Sequence, residues 1–434
     1  MLRAVRRNTE LGLIVLGTLV TVGAYLLASL AEDATIPANI GPFLGIVLGL
    51  QLAAHVAIRR LAPDADGTLL PIAGLLNGLG YVFIVRLDEA RSVPQNLAGL
   101  QSAWAAVGVG AFIGTLLVVR RVRDLERYRW TIGFAGIGLL LLPLVPGIGK
   151  TINGAKIWVG IGPISFQPGE FAKILLALFF ASYLVEKREL LAVSSRRVGP
   201  IPLPDPKHLG PVLLAWGASL VVMISQKDLG SSLLFFALFV ALLWVATERA
   251  TYLVVGVLLF AGGAVFAHSQ FIHVQDRVDV WLDPWVEPKD DGFQIVEAQF
   301  AFSAGGITGT GINLGSPTRI PYAETDFIFA AIGEELGLLG ATAVLLAFVL
   351  IVGAGLRIAL RTEVPFERLL ATGLTVLIGV QSFIIIAGVI RVLPLTGITL
   401  PFVSYGGSSL IANYVLLALL LRISDDTVQR QEAR

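Results

Sequence analysis

The stretch Leu11-Gly12-Leu13-Ile14-Val15-Leu16-Gly17-Thr18-Leu19-Val20-Thr21-Val22-Gly23-Ala24-Tyr25-Leu26-Leu27-Ala28-Ser29-Leu30-Ala31 carries no charged side chain. It is about 20 residues long, which is what a helix needs to cross a bilayer core. Arg3, Arg6 and Arg7 precede it, and Ser29-Leu30-Ala31 has the small-residue spacing of a signal-peptidase site. The run exceeds the roughly 7–15 apolar residues of a signal peptide, so an uncleaved first helix is expected. The same rule, carried outward, finds about twelve spans. They lie near 11–31, 40–58, 69–86, 101–120, 129–147, 166–186, 209–226, 229–246, 251–268, 327–356, 367–391 and 405–422. The expected fold class is all-α, a polytopic transmembrane helical bundle.

Composition agrees. Of 434 residues, 55% are hydrophobic and 15% charged, against about 25% charged in soluble domains. The mean hydropathy is +0.80. A net charge of +1 gives no reason to expect a nucleic-acid partner. The absence of cysteine excludes disulfides and thiolate metal sites. Four histidines without a His-Glu-x-x-His spacing argue against zinc.

Basic residues orient the bundle. Arg3/Arg6/Arg7, Arg59/Arg60, Arg120/Arg121/Arg123/Arg127/Arg129, Lys187/Arg188/Arg196/Arg197, Arg249, Arg357/Arg361/Arg368 and Arg422/Arg430 all fall on one side of a twelve-span arrangement. The other side carries only scattered cations such as Arg86, Arg91, Lys150 and Arg391. The positive-inside rule makes the richer side cytoplasmic, with both termini inside. The opposite side then holds one long segment after the ninth span, 270–325, rich in Gly and Pro. It is too long for a plain connector, and Trp281, Trp285, Phe293, Phe300 and Phe302 argue against disorder.

Several groups could carry chemistry. Gln167-Pro168-Gly169-Glu170-Phe171-Ala172-Lys173 opens an apolar run and places Glu170 and Lys173 three apart, on one helical face. Ionisable groups in spans are expensive and usually functional, although a pair that only fixes packing fits the same spacing. The outer segment holds six acids within sixteen residues, Asp276, Asp279, Asp283, Glu287, Asp290 and Asp291, interleaved with Trp281 and Trp285. Such a mixture suits a sugar, and a carboxylate there can take a proton from a sugar hydroxyl; a solvated acidic loop is the plain alternative. Ser303-Ala304-Gly305-Gly306-Ile307-Thr308-Gly309-Thr310-Gly311 could cradle phosphate or make a re-entrant turn. Asp326 could cap the helix that follows it, and Lys227 could pair with Asp228. Leu400-Pro401-Phe402-Val403-Ser404-Tyr405-Gly406-Gly407-Ser408-Ser409 breaks the helical pattern, which at membrane depth requires protein or a cavity alongside.

Taken in order, these segments resemble the SEDS family (FtsW, RodA and SpoVE). The resemblance rests on Asn153-Gly154-Ala155 through Trp158, Gly162-Pro163-Ile164-Ser165-Phe166-Gln167-Pro168 through Lys173, and Gln226 through Gly230. It continues in Gly292-Phe293-Gln294, Thr325-Asp326-Phe327-Ile328-Phe329 through Gly337, and Leu393-Pro394-Leu395-Thr396-Gly397 through Ser409. It implies a multi-pass protein of the bacterial cytoplasmic membrane with about ten core helices, and hence two extra ones at the N-terminus. The corresponding division is 1–128 for N-terminal helices, 129–423 for the family core with outer loop 270–325, and 424–434 for a cytoplasmic tail.

The resemblance also implies a peptidoglycan glycosyltransferase that polymerises lipid II, an undecaprenyl-pyrophosphate disaccharide-pentapeptide, beside a class B penicillin-binding protein. Elongation, division and sporulation roles stay open. Aligning Asp283-Pro284 and Gly292-Phe293-Gln294 with the family's outer-loop motif places its catalytic aspartate at Glu287, one methylene longer, with Asp283 second. Trp158, Glu170, Lys173, Arg277, Gln294, Asp326 and Ser404 become substrate-binding candidates. Lys173 and Arg277 are candidate cations for the leaving pyrophosphate, a divalent ion (magnesium or manganese) is a further candidate for the same charge, and no other cofactor is implied. Lys227 stands where the family has proline and Gly169 where it has serine. Two other functions fit a polar path through a bundle: a flippase for lipid-linked precursors, and a non-catalytic scaffold for a transpeptidase.

Overall fold

The computed structural model describes residues 2–33, 40–90, 95–152, 154–161, 164–192, 196–198, 201–203, 217, 221 and 225–434. Its helices are α1 (Leu2–Asp33), α2 (Ile40–Leu61), α3 (Leu69–Glu89), α4 (Leu97–Val118), α5 (Arg129–Leu141), α6 (Gly169–Ala192), α7 (Leu229–Thr247) and α8 (Thr251–Gln270). They continue with α9 (Ile272–Leu282), α10 (Phe293–Gly305), α11 (Ile328–Glu335), α12 (Gly337–Arg361), α13 (Pro365–Val389) and α14 (Gly407–Glu432). Among the described residues, 8 helices are long and apolar enough to cross a membrane: α1 from Arg7, α3, α4, α7, α8, α12, α13 and α14. The span expected at 209–226 lies largely outside the described residues.

Two compact units make up the chain: Met1–Arg120 with Arg277–Ala354 and Gln381–Arg434, and Arg121–Asp276 with Gly355–Val380. In the first, α14 packs on α4 around Tyr414, which is fully buried. The Tyr414 ring meets Phe112 and Phe402 edge-on, and its hydroxyl accepts from Asn77 at 3.1 Å. Arg422 of α14 donates to the carbonyls of Leu61, Leu116 and Val119, closing the C-terminal ends of α2 and α4. In the second unit, α5 and α6 approach closely because Gly133 and Gly136 face Phe179 and Leu176.

The helical membrane expectation holds, and four details differ from it or add to it. A minor β component joins the helices. A three-stranded antiparallel sheet, β1 (Gly149–Ile152), β2 (Ala155–Ile161) and β3 (Ile164–Phe166), and the hairpin β4 (Arg196–Val198) with β5 (Ile201–Leu203) qualify the all-α expectation. The span expected over 129–147 ends as helix at Leu141, where Pro143 lies in a 3-10 turn. Its 13 residues reach only about 20 Å. The segment expected as a tail, 424–434, mostly continues α14.

The fourth detail concerns 327–356, which is two helices rather than one. The chain breaks between α11 and α12 at Gly337, whose φ of +65° suits glycine. The Gly-rich run fills that break. Thr310 and Gly311 donate backbone N–H groups to the carbonyls of Glu334 and Glu335, at 3.0 Å each. Leu338 and Leu339 donate back to Gly306 and Ile307, at 2.9 and 3.1 Å. The backbone groups that a helix break leaves open are thus matched by a second irregular segment. The run is an irregular turn whose amides serve protein carbonyls. Gly309 sits at φ +86°, and a Cβ there would lie 2.2 Å from the Glu335 carbonyl oxygen. Gly309→Ala should therefore cost at least about 2 kcal/mol, from left-handed strain plus the clash, and lower the melting temperature of the detergent-purified protein. An unchanged melting temperature would contradict this interlock.

Candidate active site

Helix α9, whose last six residues belong to the first unit, delivers the chain to the acidic segment, and an arginine closes its end. Arg391 donates Nε to the Trp281 carbonyl at 2.8 Å and Nη2 to the Leu282 carbonyl, while Trp281 Nε1 donates to the Arg391 carbonyl at 3.3 Å. The cation thus sits on the negative end of a helix. The next residue, Asp283, spends a carboxylate oxygen on the Trp285 N–H at 3.0 Å. The turn then folds on itself: the Glu287 carbonyl accepts from Asp290 and Gly292, at 3.2 and 3.1 Å. The Glu287 side chain is exposed. Gln294, half-buried, stands in the first turn of α10. Trp285 meets Phe300 of the same helix edge-on, with centroids 5.7 Å apart, which fastens the turn to α10.

Arg277, Asp326 and Ser404 converge in the same unit. Arg277 Nη1 donates to the Leu395 carbonyl at 2.8 Å. A Cβ at Gly397 would stand 3.5 Å from Asp326 Oδ2 and 3.8 Å from Arg277 Nη2, so both charged ends face that bare glycine. Ser404 Oγ donates to the Thr325 carbonyl at 2.5 Å and accepts from Leu400 N at 2.9 Å, and Tyr405 N donates to the Glu324 carbonyl at 2.8 Å. The 400–405 break is thereby stitched to the two residues before Asp326. The N-cap position of α11 is Phe327, which makes no side-chain cap hydrogen bond.

Asp326 keeps partial solvent exposure but is densely surrounded, and that burial pushes its pKa up to about 6. A hydrogen bond with Thr325 and the charge of Arg277 oppose the shift, and Glu324 adds to it.

A buried network that sequence reasoning missed supports the outer segment. Arg86 Nε donates to Glu335 Oε1 at 3.1 Å and its Nη2 to the Gly315 carbonyl at 3.1 Å. Glu335 Oε2 accepts from Asn313 N at 3.0 Å, and Glu334 Oε1 from Ser316 N at 2.7 Å. The available signal was an arginine in the last turn of an apolar helix.

The second unit holds the remaining candidates. Lys173 Nζ donates to Glu170 Oε2 at 2.6 Å in the first turns of α6, both side chains buried; Glu170 also suits the positive end of that helix. Trp158 is half-buried on β2, in register with Lys150. Gln226 donates to the Leu140 carbonyl at 2.6 Å. Asp228 caps α7 through the N–H and hydroxyl of Ser231, at 3.0 and 2.6 Å. Asn153, Gly162 and Pro163 lie outside the described residues. Among the described residues, no group of three or more His, Asp or Glu side chains could hold a metal ion, so no step below runs through one.

The Asp326 shift has a definite sign. An acid whose pKa is higher in the folded than in the unfolded state favours folding most when protonated, so its contribution declines as pH rises from about 4 to 6. The melting temperature of wild type relative to Asp326→Asn should fall across that window and stay level above pH 7. A pH-independent difference would show that Asp326 is not desolvated.

Comparison with known proteins follows the same lines. Residues 67–429 match the model of the FtsW/RodA/SpoVE family, described as cell cycle protein. The peptidoglycan glycosyltransferase RodA of Mycobacterium tuberculosis is 45% identical over 424 residues, covering 96% of this chain and 90% of the relative. A probable peptidoglycan glycosyltransferase FtsW of Geobacter sulfurreducens is 35% identical over 368 residues, covering 83% and 95%. Among solved structures, a chain described under "Structural coordination of polymerization and crosslinking by a peptidoglycan synthase complex" superposes with a TM-score of 0.68 at 28% identity, covering 84% of this chain and 99% of that one. The rod shape determining protein RodA of Thermus thermophilus gives 0.59 at 26% identity, covering 83% and 97%. The helical membrane architecture, the ordered motifs and these matches agree, and the chain belongs to the FtsW/RodA/SpoVE family.

Proposed function

We propose that this protein is a peptidoglycan glycosyltransferase that polymerises lipid II at the outer face of the cytoplasmic membrane, with both of its termini inside. The names of its RodA and FtsW relatives support the activity. Higher identity to the RodA than to the FtsW relative favours a role in shape maintenance over division. A class B penicillin-binding protein is the proposed partner, supported by the likeness to a chain from a synthase complex that polymerises and crosslinks.

One observation carries the assignment of the base. Glu287 is exposed on a turn closed by its own backbone, and among the described residues its carboxylate meets no cation. Asp283, by contrast, already binds the Trp285 N–H. In the proposed step, the Glu287 carboxylate accepts the proton of the acceptor sugar's 4-hydroxyl. That oxygen bonds to the anomeric carbon of the growing strand, the bond from that carbon to pyrophosphate breaks, and the configuration inverts. The lipid pyrophosphate leaves with the electron pair. Arg277 offers a cation in the unit that carries Glu287, and the Glu170–Lys173 pair is the charge candidate of the other unit. Asp326 and Ser404 shape the surroundings of Arg277, and Gln294 and Trp158 offer hydrogen-bonding and aromatic contacts to sugar.

The test is glycan-strand synthesis from purified lipid II by the full chain, with and without a class B partner. Glu287→Ala should reduce the rate by roughly 100-fold or more, the usual weight of a general base. Glu287→Asp should keep measurable activity, and Asp283→Ala should lose less than Glu287→Ala. Full activity in Glu287→Ala would remove the assignment. Movement of lipid II across vesicles without polymer would favour a flippase.

A further inference from the structure

Two short turns of the second unit border a charged cavity that the reaction above leaves unused. One turn, 248–250, joins α7 to α8, and the other, 362–364, joins α12 to α13. All four helices are long and apolar enough to cross a membrane. Both turns therefore lie where spans end, and because they line one cavity they share one bilayer surface. Trp244, exposed in the last turn of α7, fits that level, since tryptophan gathers at the membrane–water boundary. The end of α6 supplies the third wall.

The cavity measures about 360 Å³, the size of a small-ligand site. Part of its lining is apolar: Val185 and Val245 are half-buried and Leu369 is buried. The rest carries both signs of charge. Arg368 and Glu248 answer each other, Nη2 to Oε1 at 3.5 Å. Arg188 and Glu189, at the end of α6, are exposed and line the same cavity. Among the described residues, neither has an ion-pair partner. The cavity thus offers one unanswered cation and one unanswered carboxylate at a membrane surface. A plain anion would meet Glu189 and a plain cation would meet Arg188, whereas a zwitterion satisfies both.

We propose that this cavity binds the headgroup of a zwitterionic phospholipid with a primary amine, of the phosphatidylethanolamine type. The Arg188 guanidinium holds the phosphate, which its planar fork suits. Glu189 accepts hydrogen bonds from the ammonium, which has three donors. A choline headgroup has no such donor, and a glycerol headgroup has no cation for Glu189. The apolar side chains favour a headgroup carried on acyl chains over a free one. The glycosyl transfer proposed above uses none of these residues, so either reading can fail alone.

The test is native mass spectrometry of the detergent-purified full chain. Phosphatidylethanolamine, phosphatidylcholine and phosphatidylglycerol with identical acyl chains are added in turn. Wild type should retain the ethanolamine lipid roughly tenfold better than either of the others, the scale of one charged hydrogen bond. Glu189→Gln should remove its advantage over phosphatidylglycerol, and Arg188→Gln should weaken all three lipids. Arg188→Lys/Glu189→Asp should keep the preference, which separates lost charge from lost fold. Equal retention of the three lipids by wild type would overturn the proposal, as would an unchanged preference in Arg188→Gln/Glu189→Gln. Soluble phosphoethanolamine should displace the lipid only at large excess. Displacement at equal concentration would overturn the lipid assignment in favour of a free zwitterion.

Discussion

A bilayer interior leaves no water for an open backbone group, so every helix break must be answered by another part of the protein. The interlock of 305–311 with the α11–α12 break is that answer here, made of four backbone hydrogen bonds between two irregular segments. It depends on glycine at the closest approach, where a Cβ at Gly309 would collide with the Glu335 carbonyl oxygen. Around it, arginines close other chain ends: Arg86 on Gly315 and Glu335, Arg391 on the end of α9, and Arg277 on Leu395. Guanidinium suits this work because its fixed fork serves two acceptors at once and its charge is never lost.

What the constraint produces is a rigid platform for a flexible-looking sequence. The acidic outer segment begins on an arginine-closed helix, turns through a self-bonded loop that carries Glu287, and resumes as α10 under the Trp285–Phe300 contact. A side chain held on such a platform needs little rearrangement before it acts. Asp326 shows the accompanying cost: its surroundings disfavour the charged form, held in check by Arg277 and Thr325.

Helical membrane character was legible because apolar runs such as 229–246 admit no other fold at their length. The break at 400–409 was legible from Pro401 and the Gly406-Gly407 pair. The β1–β3 sheet was not, because strands as short as Ile164–Phe166 leave no periodicity to read. Nor was the division of 327–356, where Gly337 is one small residue in an otherwise apolar stretch and the partner segment lies well upstream. At the site, the motif register reached Glu287 and Asp283, and the structure adds that Asp283 spends a carboxylate oxygen on the Trp285 N–H. Arg86 and Arg391 read as scattered outer cations, since what they bind is mostly backbone carbonyl, which leaves no trace in side-chain spacing.

The central claim is that the acidic segment and the Gly-rich run after it form a built platform and not a solvated loop. Hydrogen exchange on the full-length protein in nanodiscs measures this most directly. The amides of Gly292, Thr310, Gly311, Asn313 and Ser316 are all hydrogen-bonded, and peptides covering them should exchange about as slowly as those of α12. Exchange across 283–319 at the rate of an unstructured chain would contradict the account.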